Sequence, residues 1–431
     1  MSAPRMIARR ISTRTASRRD TELTRAGPDS AVRRRAVSGV PVLPTIDRHP
    51  SLARFSAPPA FQRKPAPHPR SRIARALRII LQSDNHWTAT SGDSVHDTRI
   101  SFEHLSEAIA HALAEAGAAP EVAAVLARNC ASCERDGALS HGVFRVPGYL
   151  ASLRSGWADG AAAPVVAHPA SGFVRVDAAN GFAQPALAAA GDQIRAAVAE
   201  AGVAVVAIRD SHHFSSLWPD LEPFAEAGLI GMTMVTGGAS VIPRGAQQKV
   251  LGTNPFAFAS PVDGARPLVM DFATSTMSHG DLQLAARAGR PVPLGTGTAA
   301  GGKDTEDPGE ILAEGGLLPF GGHKGAALSL MVELLASGLT GGAFSYRNDL
   351  VFAEHADDGG TARTGQLLIL IDPDRGGGGY ARRAAELIDT LRGAGWERLP
   401  ADHRYRAREE AERDGIPVTE AIRALLGSVP R

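Results

Sequence analysis

From Ala163 onward the chain alternates short apolar runs with longer stretches of helical spacing, and this alternation confines it to a mixed α/β body. The predicted strands are Phe173–Val176, Val203–Ile208, Leu229–Val235, Phe256–Ala259, Leu268–Phe272 and Leu367–Ile371. Each is rich in Val, Ile, Leu or Phe, and most are bounded by Gly, Pro, Asp or Asn. Helices are predicted over Gln184–Gly202, Leu221–Gly228, Lys324–Gly338, Arg382–Gly395 and Thr419–Leu425. Two more precede the alternation. Ser101 is placed to cap a helix with apolar positions Leu105, Ile109, Ala112 and Leu113, which Gly117 ends. Pro120 suits the first turn of the second, whose apolar face runs Val122, Val125, Leu126, Cys130 and Cys133. The chain has only these two cysteines. On a face that is otherwise core, they read as a buried pair rather than a metal or redox site. Gly376–Gly379 reads as a surface loop, and there is no internal repeat.

Residues 1–97 are unlike the rest. They are rich in Arg, Ser, Pro and Ala, without regular apolar spacing, and such a segment cannot offset its chain entropy by burial. It reads as a disordered basic extension. Three origins fit it: a nucleic-acid-binding arm, an organelle transit peptide, or translation begun upstream of the true start. Residues 1–75 hold seventeen Lys and Arg against four acidic residues, while the whole chain has a net charge of +1. The remaining body is therefore acidic, which argues against nucleic-acid binding. Residues 98–431 are the expected folded body: a helical part 98–160, an α/β part 161–375, and a C-terminal helical segment 380–431. Two cysteines exclude a disulfide framework, and no apolar run reaches the length of a membrane span.

Four segments carry polar residues that neither a core nor a plain surface explains. In residues 136–149, Ser140, His141 and Gly142 follow a helix, and His141, Arg145 and Tyr149 are spaced by four. A titratable imidazole near a guanidinium suits a small carboxylate substrate: the Arg holds the carboxylate and the His exchanges a proton. The second segment, residues 210–218, comes after a strand end, where α/β enzymes place ligand contacts; HExxH and HxxH metal motifs are absent. The third joins Gly252-Thr253-Asn254-Pro255 to the hydroxyl-rich turn at residues 271–281. The fourth, Gly321 to Gly325, opens a long helix and makes an anion site from unpaired amides and a cation. Neither a Walker loop nor a GxGxxG fingerprint is present. Spacing alone points to an anion-binding α/β enzyme.

Taken in order, SHGVFRVPGY (140–149), SHHFSSLWPDLEPFAEAGL (211–229), GTNPFAFASP (252–261), DFATSTMSHGDLQ (271–283) and LLPFGGHKGAALSLMVELL (317–335) resemble the malate/L-lactate dehydrogenase family that lacks a Rossmann domain. The resemblance runs from about Ile100 to the C-terminus. Within the family the chain is most similar to the reductases of Δ1-piperideine-2-carboxylate and Δ1-pyrroline-2-carboxylate. Hydroxyacid members commonly show Gly-Lys where this chain has His279-Gly280-Asp281, and the imine reductases share that Asp.

The resemblance implies a family-specific α/β fold, a cytoplasmic homodimer, and NADPH (or NADH) bound without a Rossmann domain. It implies reduction of a cyclic 2-carboxylate imine to pipecolate or proline. The alternative is an NAD(P)-dependent 2-hydroxyacid dehydrogenase acting on malate, lactate or ureidoglycolate. Carried over, His141 resembles the proton donor, with Ser140 and Asp281 as the partners that orient and charge it. Arg145 matches the substrate-carboxylate contact, and Thr253 lies near the substrate. His213, Phe214, Ser215, Ser216 and Leu217 would line the cofactor, with Ser275, Thr276 and Met277 and the turn Gly322, His323, Lys324 and Gly325. No metal is implied. The family's C-terminal cofactor segment reads Leu-Pro-Gly-Glu-Arg in many members. Here it reads Leu399-Pro400-Ala401-Asp402-His403-Arg404, where Ala restricts the backbone and the Arg is shifted by one. Residues 348–364 also depart from the family pattern.

Overall fold

The computed structural model describes residues 98–348 and 359–428. The extension 1–97 and most of the divergent 348–364 stretch lie outside the described residues.

Along the chain come β1 (Arg99–Ile100), α1 (Phe102–Glu115), α2 (Pro120–Arg135) and α3 (Val146–Arg154). Next are β2 (Val165–Ala170), β3 (Phe173–Asp177), α4 (Ala183–Ala189), α5 (Gly191–Ala201), β4 (Val203–Ser211), α6 (Trp218–Glu226) and β5 (Ile230–Val235). They are followed by β6 (Phe256–Ser260), β7 (Leu268–Phe272), α7 (His279–Arg287), β8 (Gly297–Thr298), β9 (Asp304–Thr305), α8 (Pro308–Ala313) and β10 (Gly316–Leu317). Helix α9 (His323–Val332) continues as a π-helix over Glu333–Leu339. The chain ends with β11 (Thr364–Ile371), α10 (Tyr380–Gly393), α11 (Asp402–Asp414), β12 (Ile416–Pro417) and α12 (Glu420–Ser428).

The central sheet runs β2-β3-β4-β11-β5-β6-β7. Only the β3–β4 pair is parallel, joined through α4 and α5; the other pairs are antiparallel. Strands β4 and β11 lie at its centre, and their alternating side chains serve two faces. Val206, Ile208, Leu368 and Leu370 pack with Ile194, Val198, Trp218 and Leu221 from α5 and α6. Ala207, Met234 and Leu367 face the other way, onto Val332 and Ala336 of the α9 segment. A second core holds α1, α2 and α3 together with Ile416, Ile422 and Leu425, so the C-terminus returns to the first helices. Cys130 and Cys133 are fully buried, as their spacing requires.

Four expectations change. Gln184–Gly202 is two helices, not one: the first ends at Ala189 and α5 restarts at Gly191, where glycine lowers helix propensity. The helix expected at Leu221 begins at Trp218, because Pro219 suits a first turn. Strand β2 is additional to the expected set: it is a solvent-exposed edge strand holding Pro169, so it lacks both apolar alternation and a full ladder. The helical spacing of His141, Arg145 and Tyr149 is not one helix; two 3₁₀ turns, Leu139–His141 and Val143–Arg145, precede α3.

Candidate active site

The turn carrying Ser140 and His141 is held from below. Asp136, just past α2, is fully buried and accepts from Arg408 of α11 (Nε 3.1 Å, Nη2 2.5 Å). The same guanidinium donates to Glu222 of α6 at 2.8 Å. Burial lowers the Arg408 pKa, but the bonds to Asp136 and Glu222 outweigh it and hold the charge firmly. Further on, the Glu134 carboxylate accepts the Val143 N–H at 2.9 Å, and a Cβ at Gly142 would run into that carboxylate. The 3₁₀ turns are therefore clamped at both ends.

Ser140 Oγ lies 3.0 Å from His141 Nδ1, which orients the ring. Burial first, and then the charges of Arg145 and His213, pull the His141 pKa down to about 3. The free imidazole is neutral at pH 7, which corrects the expected resting cation.

The start of α7 approaches this turn. A Cβ at Gly280 would run into the Arg145 guanidinium and the Ser140 carbonyl, so only glycine admits the close contact. Arg145 Nη1 reaches Gln283 Oε1 at 3.5 Å, and its guanidinium lies 5.3 Å from the Phe144 ring centroid. Its Nε is buried without a hydrogen-bond partner. Among the described residues no carboxylate lies within ion-pair distance of it.

Asp281 is not bonded to His141, contrary to expectation. Its carboxylate accepts from Ser278 Oγ at 2.7 Å, and its own N–H donates to that hydroxyl at 3.0 Å. The helix start claims it, in the manner of a capping box. Its charge still favours the Arg145 cation, which burial opposes.

The segment 213–217 turns its side chains mostly inward. His213 is buried, 3.2 Å from Asp220 Oδ2 and 2.9 Å from Gln184 Nε2. Gln366 also donates to Asp220, at 2.7 Å. Phe214 packs on Tyr149, their centroids 4.5 Å apart. Ser215 donates to Asn129, and Leu217 is fully buried. Ser216 is half-buried. The Leu217 and Trp218 N–H groups both donate to Asp271 Oδ2. Phe214 and Ser216 keep partly exposed side chains, while those of His213, Ser215 and Leu217 are buried among protein partners.

The third and fourth segments meet. Thr253 O accepts from the N–H and Oγ of Thr274. Thr276 N–H donates to Leu318 O, Phe320 N–H to Thr274 O, and Ser275 forms a bridge with Pro319. The hydroxyl-rich turn thus lies beside the Gly322–Gly325 turn. Within it, Ser275 Oγ donates to Met277 O, Thr276 Oγ1 donates to Thr296 O, and Met277 packs on the core of Val241 and Leu282. His323 and Lys324 are exposed at the start of α9, after Gly322 at φ 63°.

The C-terminal segment departs most. Leu399 and Arg404 are buried; Arg404 donates to Val269 O and stacks on Trp218. Ala401 adopts φ 71°, the left-handed conformation that glycine takes at lower cost. Sequence reasoning missed Glu134, Gln283, Glu333 and Arg408 as supports of the site. For Glu134 and Glu333 the signal was a carboxylate at a position whose helical neighbours are buried.

The fold is thus a mixed α/β body without a dinucleotide fingerprint, and its site sets a histidine beside an arginine that no described carboxylate pairs. The chain belongs to the malate/L-lactate dehydrogenase family, whose pattern matches residues 100–426. It is 54% identical over 323 residues to the Delta(1)-pyrroline-2-carboxylate/Delta(1)-piperideine-2-carboxylate reductase of Pseudomonas syringae pv. tomato, covering 75% of this chain and 93% of that one. The Pseudomonas putida protein of the same name is 51% identical over 334 residues, covering 76% and 97%. The crystal structure of delta1-piperideine-2-carboxylate reductase from P. syringae superposes with a TM-score of 0.74 at 52% identity, covering 77% of this chain and 99% of that one.

Proposed function

We propose that this chain is a cyclic ketimine reductase. It reduces the C=N bond of Δ1-piperideine-2-carboxylate to give L-pipecolate, and that of Δ1-pyrroline-2-carboxylate to give L-proline, using NADPH. The observation that carries the reading is Arg145: a guanidinium with no carboxylate partner among the described residues and a buried, unbonded Nε, next along the chain from the turn of His141. A half-buried guanidinium without an anion is incompletely paired, and a substrate 2-carboxylate completes it.

The residues fit an anionic cofactor. Gly322 caps α9, Lys324 is exposed in its first turn, and a Cβ at Gly325 would strike the Phe320 carbonyl, so the turn is tight. A reduced nicotinamide, when bound, supplies the reducing equivalents. The chain's residues do the rest. Arg145 holds the carboxylate and aims the imine carbon. Thr253 borders the substrate. The anion on Arg145 cancels one of the charges that keep His141 neutral, so substrate binding favours the imidazolium. Ser140 holds Nδ1, and the ring delivers a proton to the imine nitrogen, making the carbon more electrophilic.

A second reading has one observation behind it. A neutral His141 is the form of a general base, which suits oxidation of a 2-hydroxyacid. A relative 37% identical is named (2R)-3-sulfolactate dehydrogenase (NADP(+)). The test follows NADPH absorbance of the full chain with each cyclic imine and, in parallel, with pyruvate and oxaloacetate. Rapid oxidation with the imines alone is expected; turnover of the keto acids alone moves the chain to the hydroxyacid branch. Ring size is a weaker discriminator, since one methylene is worth about 1–3 kcal/mol in a pocket.

This reading places the enzyme in the cytoplasm as a homodimer. Among the described residues no helix is long and apolar enough to cross a membrane. Leu330 and Leu334 of the α9 segment are more than half exposed, which supports a partner surface there.

A further inference from the structure

We propose that Asn254 and Glu333 form a buried positioning pair that fixes Thr253 at the substrate end of the site. The inference rests on the reading above that Thr253 borders the substrate. Asn254 is fully buried and holds φ 41°, although the proline after it pushes a residue toward extended backbone. Such strain persists only where the surroundings over-determine it. Here the surroundings are explicit. Asn254 Nδ2 donates to Ser329 O (3.1 Å), Ser329 Oγ (2.9 Å) and Glu333 Oε1 (2.9 Å). Its Oδ1 faces Ser345 Oγ at 3.4 Å. Glu333 is itself buried and is held by neutral donors: Asn254, the Gly252 N–H at 3.4 Å and the Ser345 N–H at 3.1 Å.

The pair sits where three parts of the site join. Gly252 and Asn254 bracket Thr253, so both flanks of that residue are tied to one carboxylate. The Thr253 carbonyl accepts twice from Thr274, which leads the hydroxyl-rich turn. Glu333 lies on the helix that begins at the Gly322–Gly325 turn, at the point where α-helical bonding gives way to π-helix. A π-turn shifts the register of the residues beyond it, and it recurs at functional sites. Neither Asn254 nor Glu333 contacts a reacting atom in this reading. They act through the placement of Thr253.

The test compares the full wild-type chain with N254D, E333Q, N254D/E333Q and S329A. In N254D two carboxylates face each other, so Thr253 is displaced. The KM for the 2-carboxylate substrate is expected to rise by roughly tenfold, with kcat altered less. In N254D/E333Q the donor and acceptor exchange places, and KM is expected to return to within about threefold of wild type. Thermal melts accompany each variant. An unchanged KM in a folded N254D, or a double variant no better than the single one, overturns the proposal. If N254D does not fold, S329A carries the test: loss of one Asn254 acceptor raises KM, and an unchanged KM overturns the idea. All variants are assayed on whichever substrate the wild-type chain turns over. Wild-type turnover of keto acids alone then defeats the imine reading, and the positioning pair is judged separately on the keto-acid KM.

Discussion

Arg145 and His141 divide the work of the proposed site, and their variants separate the two roles. His141→Ala removes the proton donor and is expected to lower kcat by about 10²–10⁴-fold with KM little changed. Arg145→Ala removes the carboxylate contact and is expected mainly to raise KM. Wild-type turnover by His141→Ala at saturating substrate would sink the acid assignment. Titration gives a second handle. Burial holds His141 at a pKa of about 3 and His212 at about 4, against an ordinary value of 6.5. Below pH 6.5 the unfolded chain binds these protons and the folded one does not. Stability from both groups is therefore fully present above 6.5 and falls as pH drops toward 4. Each group adds a slope of about 1.4 kcal/mol per pH unit within that window. Urea titrations of the ligand-free protein at pH 7, 6 and 5 check this; midpoints flat with pH would show that the folded state protonates these rings as readily as the unfolded chain.

At the scale of elements, the legible part of the sequence is the local part. The buried cysteine pair, the Ser101 cap and the central strands rest on periodicity and on turn residues, and the structure places them as read. The meeting of the Thr274–Met277 and Gly322–Gly325 turns needed the family resemblance as well. The inward turn of His213, Ser215 and Leu217 was hidden, because a loop's spacing does not say which side faces the core. Asp281 was hidden for a related reason: a carboxylate at a helix start has a local bond available in Ser278, and takes it. The clamp between α11, α2 and α6 is wholly nonlocal, since Arg408, Asp136 and Glu222 come from distant parts of the chain. Arg408→Met leaves the buried Glu222 without its cation and Asp136 with Arg135 alone, 2.6 Å away. A loss of about 3–5 kcal/mol is expected on denaturant unfolding. A loss under about 1 kcal/mol would mean that water reaches the pair. Gly280→Ala tests the approach of α7 in turn: the new methyl strikes the Arg145 guanidinium, so a raised substrate KM is expected in a chain that still folds.

At the scale of the molecule, α9 and its π-helical continuation do two jobs. One face closes the sheet through Val332 and Ala336. The other leaves Leu330, Leu334 and Leu339 roughly half exposed. A helix that is apolar on several sides is ordinarily covered. Scattered exposed leucines need no explanation, but a row of them on the helix that also carries the Gly322–Gly325 turn and Glu333 does. A second copy of the chain satisfies this in the proposed homodimer, and it ties subunit association to the site through one continuous helix. Light scattering of the wild-type chain is expected to give twice the chain mass, with a melting temperature that rises with protein concentration. Leu330→Lys with Leu334→Lys places two charges on that face and leaves the packed residues Val332 and Ala336 untouched. The double variant is expected to run at the monomer mass with its circular dichroism intact. A wild-type monomer at all concentrations, or a variant that still dimerises, would move the subunit contact away from this helix.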